Sequence, residues 1–109
     1  MADSSSNSFV TVAKVSDLAP GEMMYVEVGD EPVCLINLDG EFHALSDICT
    51  HQDASLSDGT IDGDELECPL HGGVFAIRTG APVAFPVVVP VAKYRVRVVG
   101  DDVQVAVME

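Results

Sequence analysis

The stretch that most constrains this chain is residues 49 to 71, which reads Cys49-Thr50-His51, then sixteen residues, then Cys68-Pro69-Leu70-His71. Each half offers a soft thiolate and an imidazole within a few residues, so a fold that uses them must bring two metal-ligand sets together. Two cysteines and two histidines can hold a tetrahedral zinc, but zinc knuckles usually pair Cys with Cys and His with His. Here each knuckle is mixed, a pattern that suits a centre with two unlike metal atoms. A zinc site, or a buried cysteine pair with two surface histidines, stays open at this point.

The surrounding residues narrow the choice. The order Cys-x-His, a gap of sixteen, then Cys-x-x-His-Gly-Gly resembles the signature of Rieske [2Fe–2S] proteins, as do Gly40-Glu41-Phe42-His43-Ala44-Leu45 before it and Phe75-Ala76-Ile77-Arg78-Thr79-Gly80 after it. The likeness spans roughly residues 39 to 80 and is greatest to the small Rieske ferredoxins of bacterial aromatic-ring dioxygenase systems. It implies one [2Fe–2S] cluster, with Cys49 and Cys68 on the inner iron and His51 and His71 on the outer iron near the surface. It also implies a one-electron carrier, not an enzyme, that takes electrons from a flavoprotein NAD(P)H reductase and passes them to a terminal Rieske oxygenase. Two other readings remain: a small Rieske subunit of another reductase, such as nitrite reductase, and a zinc-stabilised interaction module.

Size supports the carrier reading. The chain has 109 residues, enough for one core but not for a separate substrate domain. A ring-hydroxylating oxygenase needs a second iron held by two histidines and a carboxylate, and only His43 is left over. His43 falls in an expected strand with no metal-binding neighbour two residues away, so its role is expected to be structural.

The formal net charge is −13, which would repel nucleic acid or an anionic membrane. All five basic residues (Lys14, Arg78, Lys93, Arg95, Arg97) lie outside residues 15–77, whereas fourteen of the eighteen acids lie within. The half that carries the motif is therefore electronegative, which suits transient, electrostatically steered encounters. There is no run of eighteen apolar residues and no basic or apolar start typical of a targeting segment, so the expected location is the cytoplasm. Cys34, in the run Val33-Cys34-Leu35-Ile36, lacks an intrachain partner and reads as a small core hydrophobe. Monomer is the default state for such a carrier.

Short β-branched runs broken by turn signals recur along the chain, and no segment of ten residues shows a 3.6-residue apolar period. The expected fold is all-β: antiparallel sheets forming a small sandwich or barrel with a two-loop cluster-binding subdomain. Residues 1–8 read as a disordered leader, and residues 9–109 as a single Rieske domain with its loops at about 46–57 and 68–76. Strands are expected at 9–14, 22–28, 32–38 and 41–45, the last two joined by Asp39-Gly40, with a hairpin around Gly63 and another strand at 74–77. Residues 81–90 carry three prolines and read as an extended crossing in which Pro82 or Pro86 could shield the cluster. Residues 91–99 and 103–108 are expected to close the domain as one long hairpin.

Two departures separate the chain from high-potential respiratory Rieske proteins. Those proteins carry bridging cysteines where this chain has Ala54 and Leu70, and hydroxyl donors where it has Gly73 and Phe75. The resemblance therefore implies an oxidised cluster that is relatively more stable, with a potential near the low end of the Rieske range, roughly −150 mV.

Overall fold

The structure is a computed structural model that describes residues 8–50, 54–69, 72–85 and 87–107. Its organising element is a strand buried on both faces. In β3 (Glu31–Leu38), Cys34, Ile36 and Leu38 point into one apolar cluster while Val33 and Leu35 point into another. Side chains alternate along a strand, so an unbroken apolar run can only be a strand with a layer on each side. β4 (Glu41–Ser46) repeats the division, with Leu45 on the first side and Ala44 on the second.

These two strands lie in a central four-stranded antiparallel sheet of order β2-β3-β4-β9, where β2 is Met23–Val28 and β9 is Lys93–Tyr94. On one side lies a terminal sheet of order β1-β11-β10, formed by Phe9–Lys14, Asp102–Ala106 and Val96–Val99. On the other lies a loop-bearing sheet of order β5-β6-β7-β8, formed by Thr60–Asp62, Glu65–Glu67, Val74–Ala76 and Pro82–Ala84. Two single-turn 3-10 helices, Val15–Asp17 and Leu56–Asp58, are the only helical elements among the described residues. None is long and apolar enough to cross a membrane. The all-β expectation holds, as a stack of three antiparallel sheets.

The hairpin between β3 and β4 turns where the sequence predicts. Asp39 and Gly40 have φ of 56° and 97°, the two positive values that a type I′ turn requires. Buried Asn37 fixes this turn: its Oδ1 accepts from the Gly40 N–H at 2.8 Å, while its Nδ2 donates to the Leu18 carbonyl at 2.8 Å.

Two expectations need correction. Residues 91–99 are not one strand: Lys93–Tyr94 pairs with β4 in the central sheet, and Val96–Val99 pairs with β11 in the terminal sheet. The chain changes sheets at Arg95, whose carbonyl accepts the Ala106 N–H at 2.9 Å. The run from Val91 to Val99 contains no Gly, Pro or other turn signal for such a step, and both halves suit a strand equally. Likewise Pro82 is not part of a free crossing but opens edge strand β8, where the N–H that proline lacks is not needed. Ser8, at the end of the expected leader, already accepts the Val107 N–H at 2.8 Å, and residues 1–7 lie outside the described residues.

A chain of polar contacts ties the central sheet to the loop-bearing one. Arg78 Nη1 donates to Glu41 Oε1 at 2.6 Å, Glu41 lies 3.4 Å from His43 Nε2, and Lys93 Nζ lies 3.2 Å from His43 Nδ1. A lysine ammonium can only donate, so Nδ1 carries the lone pair and Nε2 the proton that faces Glu41. Burial, reinforced by Lys93, pushes the His43 pKa below its ordinary value. His43 thus sits between Glu41 and Lys93 of the central sheet and backs the Glu41 carboxylate that Arg78 grips, in keeping with its expected structural role.

Candidate metal centre

Two tips close on cysteine, the first between β4 and the 3-10 helix Leu56–Asp58, the second between β6 and β7 of the loop-bearing sheet. In the first, Ile48 and Ser55 form an isolated antiparallel bridge, and the Cys49 N–H donates to the Ala54 carbonyl at 3.0 Å. In the second, Glu67 pairs with Val74, and the Cys68 N–H donates to the Gly73 carbonyl at 2.7 Å. Each cysteine is therefore the last rung before a four-residue tip, residues 50–53 in one and 69–72 in the other. By chain position His51 and His71 belong to those tips. Both histidines lie outside the described residues, as does Pro86.

Burial follows from the rung position. Cys49 is 3% exposed and Cys68 2%, and both belong to the apolar cluster of Leu45, Leu56, Leu66, Phe75, Ile77 and Val87. Neither forms a disulfide. Two buried, unlinked thiols at the bases of two tips fit a pair of thiolate ligands to one deeply set iron. The third thiol contrasts with them. Cys34 Sγ lies 3.6 Å from Met23 Sδ, and burial pushes its pKa up to about 12, so it stays protonated and packs as a hydrophobe.

Three features hold the tips in place, and none of them was singled out from the sequence for that role. Asp47, buried at the base of the first loop, accepts from the Ser55 hydroxyl and from the Ser57 N–H, the latter at 2.8 Å. Its backbone adds two bonds, to Leu56 at 2.7 Å and to Pro32 at 3.0 Å, which dock the loop on the start of β3. A second tie is Thr50, whose hydroxyl donates to the Val89 carbonyl at 2.8 Å and fixes the first tip to the segment after β8.

The third is Val87. It is buried against Gly73, where an added Cβ would lie 2.5 Å from Val87 Cγ1. Among the described residues of 81–90, Val87 packs on the second loop. A signal was present, since Gly72-Gly73 after the second knuckle implies close backbone approach, but nothing in the sequence says which residue approaches. Leu56, just after the first loop, is fully buried in the same apolar cluster as the two cysteines.

The acidic character expected for this half is present in the fold. Asp58, Asp62, Asp64 and Glu67 are exposed on or beside the loop-bearing sheet, against the single cation Arg78. Glu67 stands next to the second tip, its Oε2 within 3.2 Å of the position a Cβ on Gly72 would take. Lys14, Arg95 and Arg97 lie on the terminal sheet or its strand ends, across the central sheet from the tips.

Comparison with known proteins decides the family. The Rieske [2Fe–2S] domain matches residues 8–95. The chain belongs to the Rieske [2Fe–2S] family. It is 45% identical over 94 residues to the ferredoxin component of biphenyl 2,3-dioxygenase from Rhodococcus jostii (strain RHA1), covering 86% of this chain and 88% of that one. To the ferredoxin CarAc of Metapseudomonas resinovorans it is 42% identical over 99 residues, covering 90% and 92%. Among solved structures, the ferredoxin of carbazole 1,9a-dioxygenase from Nocardioides aromaticivorans IC177 superposes with a TM-score of 0.88 at 39% identity, covering 91% of this chain and 97% of that one. As a Rieske protein it carries one [2Fe–2S] cluster, and the buried pair Cys49 and Cys68 fits that group.

The Gly73 contact yields a test. Gly73→Ala should lower stability by roughly 1–3 kcal/mol, because buried Val87 is β-branched and cannot swing aside. Val87→Ala in the same chain should recover part of that loss. Chemical denaturation of the two variants and the wild type measures both, and additive losses would show that the two residues are not in contact.

Proposed function

We propose that this chain is the ferredoxin of an aromatic-ring dioxygenase system: a one-electron carrier between a flavin-dependent NAD(P)H reductase and a terminal Rieske oxygenase, with no catalytic reaction of its own. The observation that carries this reading is identity of 41–45% over most of the chain with the ferredoxin components of two biphenyl dioxygenases and with the ferredoxin CarAc. A related ferredoxin at 42% identity and a TM-score of 0.86 comes from a complex of reduced oxygenase and oxidised ferredoxin in carbazole 1,9a-dioxygenase. The reductase-subunit alternative has less support, since a nitrite reductase small subunit from Mycobacterium tuberculosis is 27% identical. We place the carrier in the cytoplasm as a monomer. Three cysteines without a disulfide agree with a reducing compartment.

When bound, the cluster would supply storage for one electron. Cys49 and Cys68 would hold its inner iron, and their burial keeps water from the thiolates. His51 and His71 would hold the outer iron, since each belongs to a tip rather than to a base. Their free ring nitrogens would then face the partner and shorten the path for transfer. Residues 9–109 act as one Rieske domain, a reading supported by the pairing of β1 with β11, which joins its two ends.

The ligand assignment predicts that His51→Ala or His71→Ala abolishes the Rieske absorption and paramagnetic spectra or converts them to another type. Unchanged spectra in both variants would refute it.

The carrier role predicts that NADH and a flavoprotein reductase of the biphenyl 2,3-dioxygenase system reduce this protein, and that the reduced form delivers its electron to the matching oxygenase. With a net charge of −13 and Glu67 beside the second tip, the second-order rate constants should fall roughly tenfold between about 10 mM and 0.3 M salt. A stopped-flow rate independent of salt would remove the steering part of the proposal.

A further inference from the structure

Nine large hydrophobic residues are conspicuously exposed among the described residues, and five of them (Ile48, Val83, Phe85, Val88, Val89) lie on the side of the central sheet that bears the tips. Phe85 is 83% exposed and Val88 68%. Soluble surfaces rarely collect such residues without a partner to cover them. The fold itself has no use for these exposed side chains, because the buried member of the segment is Val87, which packs on Gly73 of the second loop. The Thr50 bond to the Val89 carbonyl joins the same segment to the first loop. The exposed side chains are thus carried on a strap attached to both metal-bearing tips.

We propose that Phe85, with Val88 and Val89, is the apolar hot spot through which this carrier docks both of its redox partners, each presenting an apolar face rimmed by basic residues. This rests on the carrier function proposed above. Charge selects the partner's chemistry. The strap is flanked by a strongly acidic subdomain with Glu67 beside the second tip, so a second copy of this chain would bring acid against acid. A basic rim around an apolar centre would find both complements. One patch serves both partners because electron transfer needs approach at the tips, and the three exposed valines Val15, Val98 and Val99 lie on or beside the terminal sheet, across the central sheet. The carrier must therefore leave its donor before it can meet its acceptor. Apolar contact and charge then divide the work, the first setting how long the complex lasts and the second how often it forms.

The test compares the wild type with Phe85→Ser and Glu67→Gln, using the reductase and oxygenase of the biphenyl 2,3-dioxygenase system in stopped flow. Because Phe85 is exposed, Phe85→Ser should fold and keep its spectrum, its potential and its rate with ferricyanide, an ion too small to need docking. Its transfer rates with both proteins should fall about tenfold or more, with the salt dependence intact. Glu67→Gln should instead flatten the salt dependence. Wild-type rates for Phe85→Ser with both proteins would overturn the proposal, and a fall with only one would overturn the shared surface. A wild-type dimer that Phe85→Ser dissociates would assign the patch to self-association and overturn it too. Failure of the wild type itself to exchange electrons with either protein would instead remove the carrier reading, and this inference with it.

Discussion

Two thiols kept out of water without being joined to each other set the terms for the rest of this fold. A buried cysteine pair ordinarily ends as a disulfide or as inert packing, and Cys34 shows the second outcome within the same apolar cluster. Cys49 and Cys68 escape both because each sits at the last hydrogen-bonded rung of its own hairpin. Fixing two such rungs side by side needs a rigid base, and the doubly buried β3 with its neighbour β4 provides it. The loops are then braced from below by Asp47 and from the side by Val87 and Thr50. Ligand positions on loops can be held this way only when the supporting residues are themselves locked.

The same arrangement separates holding a metal from presenting it. Bases are apolar, dry and backbone-bonded, while beside the second tip stands the exposed carboxylate of Glu67. A layered stack also segregates charge, with basic Arg95 and Arg97 stacked over Phe9 at one end and the acidic loop-bearing sheet beyond the central sheet. In the carrier role proposed above, this charge asymmetry is what would orient the molecule toward a basic partner before contact.

Much of this was legible in the residues. The spacing of Cys49, His51, Cys68 and His71 identified the family, and the Asp39-Gly40 turn was fixed by its need for positive φ. Local chemistry with a strong geometric demand reads well from sequence. What did not read were steps without local demand. Arg95 changes sheets inside a run that would suit one strand, and Pro82 is tolerated because β8 happens to be an edge. The Asp47 brace and the packing of Val87 on Gly73 join residues distant in the chain, and neither partner alone announces the other. In each case tertiary placement decided between local options of similar energy.

The central claim is that the two tips hold a pair of irons rather than a single zinc. The most direct measurement is the low-temperature electron paramagnetic resonance spectrum of the dithionite-reduced protein, with iron, zinc and acid-labile sulfide counted on the same sample. A rhombic signal with an average g below that of all-cysteine [2Fe–2S] clusters, together with two irons and two sulfides per chain, is the expected result. A silent sample with one zinc per chain and no sulfide would contradict the account, and would mean that these residues hold structure together rather than an electron.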